Sequence, residues 1–201
     1  MEKFSRHRCL IYDGPPSVHL RVIATAFAER LQANERCLYL NSPTMIAGLR
    51  SYLAATGTDV AGSVARKQLL LSSEQQTSQS GDFDVDATLA KLEGLLREAI
   101  TDGYVGLFAS GDMLWEFGSE RNLDKLLTYE VRLENMLREN PGLHGICQYH
   151  RDVLPASVVR AALYTHQTVY LNDTLARINP HYWEPATLGA RAVSEMLSQL
   201  S

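Results

Sequence analysis

The sequence predicts a single α/β domain of three layers, in which a mostly parallel sheet carries helices on both faces. Short, continuous apolar segments alternate along the chain with segments whose apolar residues recur every three or four positions. The first pattern is typical of strands buried on both faces, and the second of amphipathic helices. A length of 201 residues suits one domain better than two, so residues 1–201 are assigned to one unit.

The chain opens with a strand, a tight loop and a helix. Residues 9–12 (CLIY) form an apolar strand, which the loop Asp13-Gly14-Pro15-Pro16 ends, and a helix begins near Ser17. The apolar face of this helix consists of Val18, Val22, Ile23, Ala26, Phe27 and Leu31. A unit of this kind opens nucleotide-binding α/β folds.

The remaining elements follow from the same two patterns and from the residues that end them. Further strands are predicted at residues 36–40, 59–60 with 68–71, 104–108, 145–149 and 168–171. Helices are predicted at about residues 44–55, 84–99, 122–140, 155–163 and 187–200, with breaks at Gly57, Gly103 and Asn140-Pro141-Gly142. Residues 109–118 are predicted to be a loop. The polar stretch 72–82 (SSEQQTSQSGD) predicts a mobile surface loop or, alternatively, a lid over a site.

Composition and charge exclude several classes of function. A net charge of −4 argues against direct binding to nucleic acid through its phosphates. No apolar run approaches the roughly 18–20 residues of a membrane span. The segment 1–8 (MEKFSRHR) lacks the apolar core of a signal peptide, so we expect a cytoplasmic protein.

Cysteines and histidines show no disulfide or metal-binding pattern along the chain. Cys9, Cys37 and Cys147 fall in predicted strands without CxxC spacing, so they are expected to be buried thiols. His7 and His166 lie at the amino ends of their strands and are expected to be ordinary hydrogen-bonded histidines. No two histidines share ligand spacing on one element, so we expect neither a metal site nor a cofactor.

The candidate binding region is the edge of the sheet at the carboxyl ends of the strands, where open α/β sheets bind their ligands. This rule selects the loops 13–17, 41–44, 72–82, 109–118 and 150–154. The polar and aromatic residues at this edge are Tyr12, Asp13, Asn41, Asp112, Trp115, Glu116, Tyr149 and His150.

The first of these loops has the position of a phosphate-binding loop but not its chemistry. Such loops are rich in glycine and usually end in Lys-Ser or Lys-Thr. Here Pro15 and Pro16 have no N–H to offer a phosphate, and the carboxylate of Asp13 repels one. The sequence therefore predicts a nucleotide-hydrolase-like scaffold that serves another purpose.

Glu130 is the most informative single residue, because it lies on the apolar face of the long helix 122–140. With about 100° per residue, it falls close to the centre of the face formed by the leucines of that helix. A buried carboxylate without a partner is unfavourable, so Glu130 needs an Arg or His, a Tyr hydroxyl, backbone N–H groups or a ligand beside it. A structural partner and a ligand contact both remain open from the sequence.

Several short motifs, taken in order, resemble one known family. They are His7-x-Cys9-x-x-Tyr12-Asp13, residues 35–39 (ERCLY), Gly81-x-Phe83-Asp84, Gly103-Tyr104, Ser110-Gly111-Asp112-Met113-x-Trp115, Tyr129-Glu130, Cys147-x-Tyr149, His166 and Asn179-Pro180-x-Tyr182. Their order and spacing over nearly the whole chain are similar to those of the MEDS domain, the methanogen/methylotroph sensory domain of the regulator DcmR.

The resemblance implies a RecA/KaiC-like fold without a working ATP site and a sensory role in prokaryotic signalling. It implies a small organic, hydrocarbon-derived ligand, and fusion to a DNA-binding or histidine-kinase module is common in the family. Because the sensory domain takes up nearly all of this sequence, we expect signalling through a histidine kinase or transcription regulator in trans, or through a change of homo-oligomeric state. Predicted strands two and four end in Asn41-Ser42 and Ala109-Ser110, without the acids that activate water and hold magnesium in ATPases.

We expect six residues to line the ligand pocket: Tyr12, Asp13, Trp115, Glu116, Glu130 and Tyr149. The aromatic side chains would supply apolar walls with polar handles, and the acids would orient the ligand. Two alternatives remain, a nucleotide-binding or hydrolysing protein with an atypical loop and a protein-interaction module. The last helix, with Leu188, Ala192, Met196 and Leu200, is the candidate surface for such an interaction.

Overall fold

The computed structural model of the chain describes residues 6–73, 83–114, 121–176, 179–184 and 191–200. Within these residues the strands are β1 (His7–Tyr12), β2 (Arg36–Leu40), β3 (Leu69–Ser72), β4 (Leu107–Asp112), β5 (Leu143–His150), β6 (Thr168–Leu171) and β7 (Thr174–Ala176). The helices are α1 (Pro16–Gln32), α2 (Pro43–Ala55), α3 (Val60–Ala65), α4 (Val85–Thr101), α5 (Leu123–Glu139), α6 (Ala156–Thr165) and α7 (Arg191–Leu200).

All seven strands belong to one sheet in the order β3-β2-β4-β5-β1-β6-β7. Every neighbouring pair is parallel except β6 and β7, which are antiparallel. The predicted mostly parallel sheet with alternating helices is therefore confirmed. Because β1 lies between β5 and β6, its residues face partners more than 130 positions later in the chain, such as Cys147 opposite Cys9.

Two apolar clusters lie on opposite faces of this sheet. On the α1 face, helices α1, α2 and α3 pack against strand residues such as Leu10, Tyr39 and Phe108. On the α5 face, helices α4, α5 and α6 pack against strand residues such as Cys9 and Cys147. The alternation of side chains along each strand assigns every strand residue to one face or the other.

The structure corrects two local predictions and adds one strand. Residues 59–60 do not extend a strand, because the Asp59 carboxylate accepts a hydrogen bond from the Gly62 N–H and caps α3 instead. Strand β4 runs from Leu107 to Asp112, so residues 109–112 are strand rather than loop, and the predicted strand residues 104–106 precede it. Strand β7 was not predicted, since a three-residue antiparallel strand leaves little periodicity to read.

Gly106 lies directly before β4, at a close approach of two backbone segments. A Cβ atom at this position would lie 2.2 Å from the carbonyl oxygen of Gly142, which cannot move aside as a flexible side chain would. We expect Gly106→Ala to lower the free energy of unfolding by about 1–3 kcal/mol, the usual penalty for overpacking. Denaturant unfolding followed by circular dichroism measures this change.

The matched control is Gly94→Ala on helix α4, where an added Cβ meets nothing within 4 Å. Alanine stabilises the interior of a helix relative to glycine, so this variant should be more stable than the unmutated protein by roughly 0.5–1 kcal/mol. Equal losses in the two variants would contradict the proposed role of the Gly106–Gly142 contact.

The carboxyl-terminal helix α7 packs onto a third apolar cluster between α5 and α6. Val193 and Leu197, together with Trp183, pack against this cluster, which includes Leu127. Leu188 and the side chains of Ala192, Met196 and Leu200 lie outside the described residues, as do residues 74–82 of the predicted mobile loop. Among the described helices, none has both the length and the apolar character needed to cross a membrane.

Candidate functional site

The loop between β1 and α1 is held by contacts within the protein. The Gly14 N–H donates a hydrogen bond of 2.8 Å to the Asp152 carboxylate, and the Asp13 N–H donates one of 3.1 Å to the Asn172 side chain. The Asp13 carboxylate forms an ion pair with Arg151. The Gly14 N–H is therefore already hydrogen-bonded to a carboxylate, and the next two residues are prolines, which have no N–H to donate to a phosphate.

Strand β4 ends in Asp112, which corrects one step of the sequence argument. Because the strand continues past Ser110, a carboxylate does stand at its carboxyl end. Burial raises the pKa of Asp112, although the Leu114 N–H donates a hydrogen bond of 3.0 Å to this carboxylate. The absence of a phosphate-binding lysine from the β1–α1 loop is unaffected by this correction.

Glu130 lies on the α5 face of the sheet and is only 1% exposed. One carboxylate oxygen, Oε1, accepts a hydrogen bond from the Tyr149 hydroxyl. The other, Oε2, lies 3.2 Å from His7 Nε2 and 3.5 Å from His166 Nε2. The partners that the buried carboxylate required are thus Tyr149 and His7, and His166 lies beside them.

His7 stands between two carboxylates. Its Nε2 faces Glu130, and its Nδ1 lies 3.1 Å from Glu134 Oε2. Burial alone would lower the pKa of His7, but the two carboxylates outweigh it and raise that pKa to about 9. Burial opposes ionisation of Glu134 as well, yet His7 and Arg138 lower its pKa to about 2.

His166, the residue that follows helix α6, completes the group. Its ring centroid lies 3.9 Å from that of His7, and its Nδ1 lies 2.9 Å from the Ala162 carbonyl oxygen. Because a carbonyl only accepts, Nδ1 carries the proton and Nε2 presents a lone pair toward Glu130. Burial and the nearby His7 lower the pKa of His166 to about 4, so its imidazole is neutral near pH 7.

Cys147 brings a thiol to the same point. Its Sγ lies 3.4 Å from His7 Nε2 and 3.8 Å from Glu130 Oε2. One ligand atom from each of His7, Glu130, Cys147 and His166 lies within 4.8 Å of all the others, and all four residues are buried. We name these four residues the buried cluster.

An apolar cavity of about 30 Å³ adjoins the buried cluster at Cys147. It arises because strands β4 and β5 carry small residues, Ala109, Gly111 and Gly145, beneath helix α5. The larger side chains of its lining are Leu40, Leu92, Met113, Tyr129, Leu133, Leu137, Leu143, His144 and Ile146. A volume of about 10–15 Å³ already admits a water molecule, so this cavity has room for a molecule of a few heavy atoms.

The structure divides the six predicted pocket residues. Glu130 and Tyr149 are hydrogen-bonded on the α5 face. Tyr12 lies on the α1 face, where its ring stacks on His150 at 4.8 Å. Asp13 lies in the β1–α1 loop beside a shallow cleft of about 300 Å³. Trp115 and Glu116 lie outside the described residues.

Three members of the buried cluster, His7, Cys147 and His166, were predicted to be unremarkable structural residues. The rule of carboxyl-end loops missed them, because the cluster lies beneath the sheet rather than at its edge. The motifs of the family resemblance contain all four cluster residues, which was the only sequence signal that grouped them.

Comparison with known proteins identifies both a family and a fold. The model of the MEDS family (MEthanogen/methylotroph, DcmR Sensory domain) matches residues 6–167. No curated protein matches the sequence.

Solved structures from two archaea share the fold. The flagellar accessory protein FlaH from Methanocaldococcus jannaschii is 12% identical, with a TM-score of 0.54 over 83% of this chain and 71% of that chain. A KaiC-like protein from Pyrococcus horikoshii is 14% identical, with a TM-score of 0.55 over 85% of this chain and 76% of that chain. These similarities confirm the predicted RecA/KaiC-like fold.

Proposed function

The chain belongs to the MEDS family of sensory domains, and on that premise we propose that it is a non-catalytic sensor of a small, hydrocarbon-derived organic molecule. The family supports the sensory role, and the site residues support the choice of ligand. We further propose that the domain acts in the cytoplasm of a prokaryote and signals through a histidine kinase or transcription regulator.

The observation that carries the choice of ligand is the apolar cavity beside Cys147. Its volume of about 30 Å³ is too small for a nucleotide or a sugar and suits a compound with one or two carbon atoms. The lining is dominated by aliphatic and aromatic side chains, which favour an apolar molecule. Polar groups at the wall come from Ser110, Tyr129, His144 and Cys147.

The test is thermal stability against a panel of C1–C4 alcohols, halides and acids. A ligand that binds only the folded state raises stability by ~2.7 kcal/mol at a hundredfold excess over its dissociation constant. We expect one or more of the small apolar compounds to raise the melting temperature, and Ala109→Val to abolish this shift because its added methyl groups occupy the cavity. Isothermal titration then gives the affinity.

The control variant is Ala24→Val, which adds the same two methyl groups to the α1 face, where Ala24 is buried in the other core cluster. It should lose stability through overpacking but keep its response to the ligand. Two results would contradict the cavity as the sensory site. One is that no compound raises the melting temperature of the unmutated protein, and the other is that the compounds raise the melting temperatures of Ala109→Val and Ala24→Val equally.

A nucleotide-binding protein is the second candidate, because the fold is RecA/KaiC-like and Asp112 stands at the end of β4. The contacts of the β1–α1 loop weigh against it, since the Gly14 N–H already binds Asp152. Adding ATP with magnesium to the same panel separates the two candidates. A shift with ATP that survives Ala109→Val would favour nucleotide binding over the proposed sensor.

A further inference from the structure

We propose that the buried cluster binds one divalent transition-metal ion of the zinc type, through His7 Nε2, His166 Nε2, Cys147 Sγ and Glu130 Oε2. These donors are two imidazole nitrogens, a thiolate and a carboxylate oxygen, the ligand types that Zn²⁺ prefers. Binding releases two protons to solvent, one from His7 Nε2 and one from the Cys147 thiol, which the metal-free protein retains. This proposal does not depend on which molecule the neighbouring cavity binds.

The spacing of the donor atoms fits a tetrahedral ion. Metal–nitrogen and metal–oxygen bonds of about 2.0–2.2 Å and a metal–sulfur bond of about 2.3 Å place tetrahedral ligand atoms about 3.3–3.6 Å apart. The observed separations are 3.2 and 3.5 Å from Glu130 Oε2 to the two imidazole nitrogens, and 3.4 and 3.8 Å from Cys147 Sγ to His7 Nε2 and Glu130 Oε2. The two remaining separations, from His166 Nε2 to His7 Nε2 and to Cys147 Sγ, are within 4.8 Å. Movements of about 1 Å in the side chains therefore bring the four donors to tetrahedral spacing around one ion.

His166 supplies an independent indication that the buried cluster binds a cation. Its Nε2 has no hydrogen-bond partner among the described residues. Because His166 is 0% exposed, water does not satisfy this nitrogen either. Because the proton of the ring is on Nδ1, Nε2 directs a lone pair at Glu130 Oε2, 3.5 Å away. Two acceptors that face each other in a dry interior repel unless a cation lies between them.

The groups behind the ligands hold them in the orientation that metal sites use. Ligating histidines usually donate their second N–H to a carboxylate or a backbone carbonyl. Here Glu134 lies 3.1 Å from His7 Nδ1, and the Ala162 carbonyl lies 2.9 Å from His166 Nδ1. The Tyr149 hydroxyl occupies Glu130 Oε1 and leaves Oε2 for the metal.

Four protein ligands fill a tetrahedral shell, so the site is of the closed type that stabilises a fold. The ligands come from β1, α5, β5 and the residue that follows α6. A bound ion therefore ties together segments that are distant along the chain, and its removal should lower the melting temperature.

The experiment uses the full chain with any affinity tag removed, stripped by a chelator and titrated with Co²⁺ under reducing conditions. We expect saturation at one ion per chain, with the intense visible bands of tetrahedral cobalt and a near-ultraviolet thiolate-to-cobalt charge-transfer band. Zn²⁺ should displace the cobalt and remove the colour. A pale octahedral spectrum, or no stoichiometric binding, would overturn the proposal.

Variants assign the ligands. Cys147→Ser should remove the charge-transfer band, while Cys37→Ser, which alters a buried thiol on the α1 face, should keep the full spectrum. Equal spectra for these two variants would overturn the assignment. Glu134→Gln, at a positioning residue, should keep the charge-transfer band but weaken the affinity roughly 10–100-fold in chelator competition.

A measurement on the unmutated protein keeps the test independent of folding of the variants. X-ray absorption of the zinc-loaded chain should show one sulfur neighbour at about 2.3 Å and nitrogen or oxygen neighbours at about 2.0–2.2 Å. A zinc environment without sulfur would exclude Cys147 and overturn the site as described.

Discussion

Replacing Glu130 with alanine is expected to lower the free energy of unfolding of the metal-free protein by about 3–5 kcal/mol, the range for breaking a buried ion pair from one side. The carboxylate is 1% exposed and accepts from the Tyr149 hydroxyl while facing both histidines. Its removal leaves the buried Tyr149 hydroxyl without this acceptor and takes away one of the two carboxylates that face the His7 cation.

The measurement is urea unfolding in the presence of a chelator, followed by circular dichroism. Glu130→Gln keeps the volume and an oxygen that accepts from Tyr149, so its loss should be smaller, about 1–3 kcal/mol. Glu93→Ala is the control, because Glu93 is a half-exposed member of a surface pair with Arg97 and should change stability by about 0.5 kcal/mol or less. A loss for Glu130→Ala no larger than that of the control would show that the buried carboxylate does not hold the α5 face together.

Replacing Phe27 with alanine is expected to cost about 3–5 kcal/mol for a different reason, the loss of a large apolar side chain from a packed core. Phe27 is 0% exposed on the α1 face, and its ring makes edge contacts with Tyr39 and Phe108 at 5.6 and 5.0 Å. Because the sheet separates it from the buried cluster, the variant should remain able to bind cobalt with an unchanged spectrum.

The informative comparison is Leu133→Ala on the α5 face, where Leu133 is 5% exposed and lines the cavity. Its loss of stability should be similar, about 2–5 kcal/mol. Unlike Phe27→Ala, it enlarges the cavity and should change which small molecules shift the melting temperature. If Phe27→Ala altered the cobalt spectrum or the ligand response as much as Leu133→Ala, the two faces would not be independent.

Features that depend on neighbouring residues were predictable from the sequence. The alternation of apolar strands and amphipathic helices follows from side-chain periodicity, and it gave the α/β class and the parallel sheet. The chemistry of the β1–α1 loop follows from two prolines in a row, and the burial of Glu130 follows from its position on one helix face. The family match over residues 6–167 confirms the resemblance that the short motifs indicated.

The predicted bounds of strands were wrong where the local sequence is compatible with two structures. Ser110 and Gly111 are weak strand formers, so residues 109–112 were predicted to be loop, but pairing with both β2 and β5 holds them extended. The sequence around Asp59 is compatible with either a strand end or a helix cap. In the structure the Asp59 carboxylate accepts a hydrogen bond from the Gly62 N–H, so Asp59 is a helix cap.

The sequence by itself determined the class of fold, the nonstandard first loop and the need of Glu130 for a partner, since each depends on residues within a few turns or strands of one another. Only the tertiary structure decided which partners those are. His7, Cys147 and His166 reach Glu130 because β1 inserts between β5 and β6, an order that hydrophobic periodicity does not encode. Strand order depends on contacts between segments far apart in the chain, and the buried cluster depends on strand order.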